Sequence, residues 1–172
     1  MGEKPRTATK LIRPALILSR VAVQPHGLIT ALLLIEIAQT FKVPIGIAGQ
    51  LSTVVFTVSV LMRVVMSFLA IKFGYRSLML LGLAFYVASS VGNYLAPDFA
   101  ALLVTFSLVG IASSMVTPMT AAMVGALIPQ GQRTKVISWF QAGMAICVLV
   151  GSPYITYISG ALGWRTSFIL FA

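Results

Sequence analysis

A chain of 172 residues that is 59% hydrophobic and only 9% charged, with a mean hydropathy of +1.01, lacks the composition of a soluble domain. Its net charge of +9 is scattered between apolar runs, with none of the aromatic–basic patches that stack bases, so a nucleic-acid binder is excluded. One histidine, three acids and a lone cysteine, Cys147, inside an apolar run form no triad, metal cluster or disulfide framework, and no enzyme or cofactor is expected.

Residues 1–12 read as a basic tail, and residues 13–172 as a membrane domain of about 20-residue apolar runs. The first run, Ile12 to Ala38, carries Arg20 about two turns in, and Gln24-Pro25-His26-Gly27 near its middle. Proline removes a backbone donor and glycine loosens a helix, so a kink or local opening is expected there. After Lys42-Val43-Pro44, the second run spans Ile47 to Ile71 and carries Thr53, Thr57 and Arg63. It meets the third, Ser77 to Ala96, at a short basic turn in which Gly74 is expected to reverse the chain. Ala84, Ala88 and Gly92, four apart, predict a close helix–helix face. Pro97-Asp98 ends that run and caps the fourth, Phe99 to Ile128. Gly110, Ser114, Ala122 and Ala126 form a longer ladder of small residues there, with Pro118 predicting a bend at the missing step. A polar connection, Pro129 to Lys135, leads into the fifth run, Val136 to Leu162, where Gly143, Cys147 and Gly151 repeat the spacing. After Gly163-Trp164-Arg165, an apolar segment begins at Phe168.

The expected fold is an all-α polytopic transmembrane bundle with five complete spans and the start of a sixth. Lys4, Arg6, Lys10, Arg13, Lys72, Arg76, Arg133 and Lys135 fall on the tail's face, against Lys42 and Arg165 opposite. Eight against two places the N-terminus in the cytoplasm.

Three stretches resemble the N-terminal half of a major facilitator superfamily transporter. The turn after the second run is similar to the family's signature loop G-x-L-a-D-r-x-G-r-k, through Ser67, Leu69, Lys72, Gly74 and Arg76. Ile71 stands at the place of its aspartate, which in the family helps latch the outward-facing arrangement. Gly151 and Pro153, followed by Gly163-Trp164-Arg165 and Phe168, resemble the G-x-P…G-W-R-x-x-F pattern of the sugar-efflux and multidrug antiporter branch. Pro129 to Arg133 is similar to the P-x-x-x-R approach to that span, and Phe106 stands where many proton-coupled members carry arginine. The resemblance implies secondary transport of a small solute by alternating access, with a midplane site between two six-helix halves. The chain is then an N-terminal fragment in a cell membrane, plasma or inner. Its partners would be the lipid bilayer, a small-molecule substrate, the missing C-terminal half and a coupling proton. Efflux is the leading direction. An uptake permease and a truncated, non-transporting interaction protein are the alternatives.

Candidate translocation residues are Arg20, Gln24, His26, Thr57, Arg63 and Thr117. An ionisable residue inside a span is a functional hypothesis by default. His26 reads as a cavity-lining contact or proton carrier, or as a packing histidine bonded to a carbonyl freed by Pro25. Arg63 reads as an anion partner or a snorkelling side chain, Arg20 as an interface residue, and Glu36 as a solvated one. Thr53, Thr57, Ser113 and Thr117 are polar enough to line a pore, or bond the preceding turn of their own helices.

Overall fold

A computed structural model describes residue 18 and residues 24–170 of the protein, and no strand occurs among them. Helix α1 covers Gln24–Phe41, α2 Ile45–Ala48, α3 Gln50–Lys72, α4 Tyr75–Leu95, α5 Phe99–Leu127, α6 Gln130–Leu162 and α7 Trp164–Leu170. Four segments are long and apolar enough to cross a membrane: Ile45–Ala70, Tyr75–Leu95, Phe99–Leu127 and Gln130–Leu162, with His26–Phe41 as a shorter apolar helix. The tail, Arg20 and the start of the first run lie outside the described residues, as do the side chains of Gln24, Pro25 and Ile71.

Helix α5 is the hub. It packs most extensively against α4 and then α3, while α1 lies on α6, and α7 joins the two groups by touching α4, α6 and α1. Gly110 explains the approach of α3: a Cβ there would lie 2.8 Å from the Val55 carbonyl oxygen and 2.9 Å from the Val58 Cβ. Gly82 and Gly92 do the same for α4, where a Cβ would meet Val116 at 2.8 Å and Thr105 at 2.6 Å. Without a hydrophobic drive between helices in lipid, such contact distances are what associates them.

The packing face of α4 is displaced from the expected one. Ala84 and Ala88 are exposed, and Leu78, Gly82, Tyr86, Ser89, Ser90 and Asn93 are buried instead. Polar residues turn inward because lipid offers them no partner. On α5, Gly110 and Ser114 are buried as the ladder predicts, but Ala126 is exposed, and the helix runs unbroken through Pro118. Gly151 is buried against α1, with Leu28 3.7 Å from a Cβ there, while Gly143 and Cys147 are half-buried.

The turns differ from expectation in three places. Gly74 has φ −63° and ψ 146°, a conformation open to any residue, so its flexibility does not make the reversal. Residues Gln130–Lys135 are already helical, because Pro129 starts α6 before the apolar run begins. From Gln24 onward α1 is continuous, so no opening occurs at His26-Gly27. Asp98 caps α5 as expected, accepting from the Ala101 N–H at 2.7 Å. Arg133 caps its far end, donating from Nε to the Ile128 carbonyl at 3.0 Å and from Nη2 to that of Gly125 at 2.5 Å.

The bundle therefore has two chemically distinct ends. Phe41, Phe99, Trp164 and Arg165 gather at one, Lys72, Arg76, Arg133 and Lys135 at the other.

Candidate translocation site

The sequence candidates do not converge. His26, on α1, is 5% exposed and enclosed where α1, α4 and α7 meet. Its ring lies 5.4 Å from that of Tyr86 and 5.7 Å from that of Phe168, and its Nε2 is 3.4 Å from the Ser90 hydroxyl. The backbone carbonyl of His26 accepts from Thr30 Oγ1 at 2.8 Å. The ring packs against Tyr86 and Phe168, and its polar neighbour is a serine hydroxyl on α4.

A polar seam continues from there along α4. Ser89 Oγ donates to the Thr105 carbonyl at 2.9 Å, Asn93 Nδ2 lies 3.4 Å from Ser89 Oγ, and Thr105 Oγ1 donates to Asn93 Oδ1 at 2.5 Å. Ser89, Ser90 and Asn93 are fully buried. A satisfied network of this kind fixes the register of α4 on α5, since sliding would leave polar groups unpaired in an apolar interior. Its signal in the sequence was an asparagine inside an apolar run.

Thr117 borders an open space. A cleft of about 260 Å³ separates α5 from α6, lined by Thr117, Thr120, Ala121, Val124, Ile137, Phe140 and Gln141. It exists because α5 and α6 touch little despite being consecutive. Thr117, Thr120 and Gln141 are the polar residues of the wall, and Thr120 Oγ1 donates to its own Val116 carbonyl at 2.7 Å. No charged side chain lines the cleft. The wall is mainly apolar with a few polar residues, a composition common in small-molecule sites.

Thr57 and Arg63 lie on α3, both exposed, away from the cleft and from His26. Arg63 is nine residues before the helix end at Lys72, about 13 Å along the axis at 1.5 Å per residue. Within the signature loop, Ser67 Oγ donates to the Arg63 carbonyl at 2.9 Å, Leu69 packs beside Met66, and Lys72, Gly74 and Arg76 are exposed.

The fifth-span motif builds the opposite end. Pro153 is exposed within α6, whereas Trp164 is buried and donates from Nε1 to Thr40 Oγ1 at 2.9 Å. Arg165 donates to the Ala96 carbonyl at 2.9 Å, with its guanidinium 5.7 Å from the Phe41 ring and 5.2 Å from that of Trp164. Glu36, expected to be solvated, is half-buried and accepts from Ser159 Oγ on α6. Phe106 packs edge-on to Phe168 at 5.9 Å, so the position where relatives carry arginine belongs here to an apolar core.

Apolar helices long enough to span a membrane, tied by internal polar seams, mark a polytopic membrane protein. The family model described as Major Facilitator Superfamily matches residues 21–172. The chain belongs to that superfamily, whose members are integral, multi-pass membrane transporters rather than enzymes.

Proposed function

We propose that this protein serves secondary transport of a small, uncharged or amphipathic solute by alternating access, in the efflux direction, with the α5–α6 cleft as its share of the substrate site. The observation that carries this reading is the cleft itself: about 260 Å³ of space with Thr117, Thr120 and Gln141 as the polar residues of its wall and Phe140 as the aromatic one. The G-x-P…G-W-R pattern of Gly151, Pro153, Trp164 and Arg165 supports the efflux branch. The exposed apolar faces of α3, including Phe56, Val60, Val64 and Phe68, and of α6, including Leu149 and Tyr157, are compatible with lipid and with a second helical bundle as partner. Lys72, Arg76, Arg133 and Lys135 at one end against Lys42 and Arg165 at the other support a cytoplasmic basic end in a cell membrane.

The test is solute accumulation in cells that lack their main efflux pumps and express the complete reading frame. A panel of small amphipathic dyes should include one whose accumulation falls, with Thr117→Val combined with Gln141→Leu restoring it at equal expression. Raised accumulation would convert the reading to uptake, and an unchanged panel would end it.

A further inference from the structure

The basic end holds another concavity, apart from the α5–α6 cleft. A groove of about 200 Å³ runs between the start of α4 and the end of α5, lined by Gly74, Tyr75, Arg76, Met123, Ala126 and Leu127. The surface it offers is apolar, and it is open along one side. Its depth is fixed by the chain, because two membrane-long helices, Tyr75–Leu95 and Phe99–Leu127, begin and end there. An apolar trough at that level lies at the boundary between acyl chains and headgroups.

Charge then selects the occupant. Arg76 is part of the groove wall, and Lys72, three residues before Tyr75, ends α3 beside it; both are exposed. The Arg133 guanidinium adds a third positive charge at the end of α5, held on the carbonyls of Gly125 and Ile128. The described acids, Glu36 and Asp98, lie at the opposite end of the bundle, so no carboxylate among the described residues neutralises these cations. Tyr75 and Phe73, each more than two-fifths exposed, flank the site as aromatic residues do at a membrane interface.

We propose that this groove binds an anionic glycerophospholipid, with an acyl chain along Met123, Ala126 and Leu127 and the phosphate held by Lys72 and Arg76. A soluble anion would use the cations but not the trough. A zwitterionic lipid would use the trough but gain little from the cations. An anionic lipid uses both, and each basic residue near such a headgroup is worth about fivefold in affinity.

Native mass spectrometry of the full chain released from detergent micelles, titrated with dioleoyl-phosphatidylglycerol or dioleoyl-phosphatidylcholine, tests the site. The anionic lipid should bind roughly 25-fold more tightly, and Lys72→Gln with Arg76→Gln should bring it down to the zwitterionic level. The exchange of Lys72→Arg with Arg76→Lys should keep the preference. Ala126→Phe, which fills the trough on an exposed helix face, should weaken both lipids, and far-ultraviolet circular dichroism should show each variant as helical as the parent. Equal binding of the two lipids, a preference that survives the double glutamine change, or glycerol 3-phosphate competing as well as the intact lipid would each overturn the proposal.

Discussion

The two ends of the bundle are built from different materials. At the end holding Trp164, rings from three helices meet edge to face: Phe41 with Phe99 at 6.1 Å, Phe41 with Trp164 at 5.9 Å, and Trp164 with Phe168 at 6.0 Å. Hydrogen bonds between helices accompany them, from Trp164 to Thr40, from Arg165 to Ala96 and from Ser159 to Glu36. Toward the basic end the core is methionine. Met66, Met115 and Met119 form a cluster with Met62 and Met79 against it, and Met123 continues into the next cluster with Phe140, so six of the chain's eight methionines lie in this half. An aromatic pair has a directional optimum, whereas a thioether chain fills irregular space in several rotamers at little cost. One end is keyed, and the other can repack. The α5–α6 cleft lies in the half that can repack.

The largest expected effect breaks the comparison directly. Phe168 is fully buried against His26, Phe106 and Trp164. Phe168→Ala should cost roughly 3 kcal/mol, the low edge of the soluble-core range, because lipid rather than water is the alternative surrounding. Met119→Leu, 5% exposed at the other end, should cost less than about 1.5 kcal/mol. Reversible unfolding in mixed micelles reads both, and equal costs would abolish the distinction between the ends.

Glycines sharpen it at the next scale. Gly110→Ala places a methyl 2.8 Å from a backbone carbonyl that cannot yield as a side chain would, and should destabilise by about 2 kcal/mol. Gly125→Ala, also on α5 but at the basic end, meets nothing within 4 Å and should instead stabilise by about 0.5–1 kcal/mol through helix propensity. Opposite signs on one helix are the prediction, and matching signs would show that packing density does not differ along α5. Trp164→Phe comes lower, at about 1 kcal/mol, since it keeps the ring stack and deletes only the bond to Thr40.

The sequence announced the architecture more clearly than the site. Apolar runs, the Asp98 cap and the alternation of basic turns were legible because span length and backbone capping are local properties. Which face of α4 turns inward was not. Gly92 does approach α5 closely, but Ala84 and Ala88, at the same spacing, are exposed, because Ser89, Ser90 and Asn93 each need a partner that lipid cannot supply. Thr117 was visible as a polar residue in a span, whereas Gln141 and Phe140 gain meaning only when α6 diverges from α5. Glu36 was misjudged for the same reason: its partner, Ser159, is 123 residues away.

The smallest effect concerns the backbone at the keyed end. Helix α1 closes with the Val43 N–H on the Ala38 carbonyl at 3.0 Å and the Lys42 N–H on that of Gln39 at 3.2 Å, a Schellman pattern whose left-handed residue is usually glycine. Here it is Lys42, with φ 53°, the one described non-glycine residue at positive φ. The left-handed conformation costs a side-chain-bearing residue about 1–2 kcal/mol. Glycine removes that cost but returns about 0.4–1 kcal/mol through the greater freedom of the unfolded chain. Lys42→Gly should therefore stabilise by about 0.5 kcal/mol, and Lys42→Val, β-branched at the same φ, should destabilise, both read as shifts of the unfolding midpoint in micelles. A loss of stability with glycine would mean that the lysine side chain itself holds the turn. If the aromatic end is a fixed closure, the glycine variant should also leave solute accumulation unchanged, because it stiffens a region that is already keyed while the methionine half keeps its freedom to move.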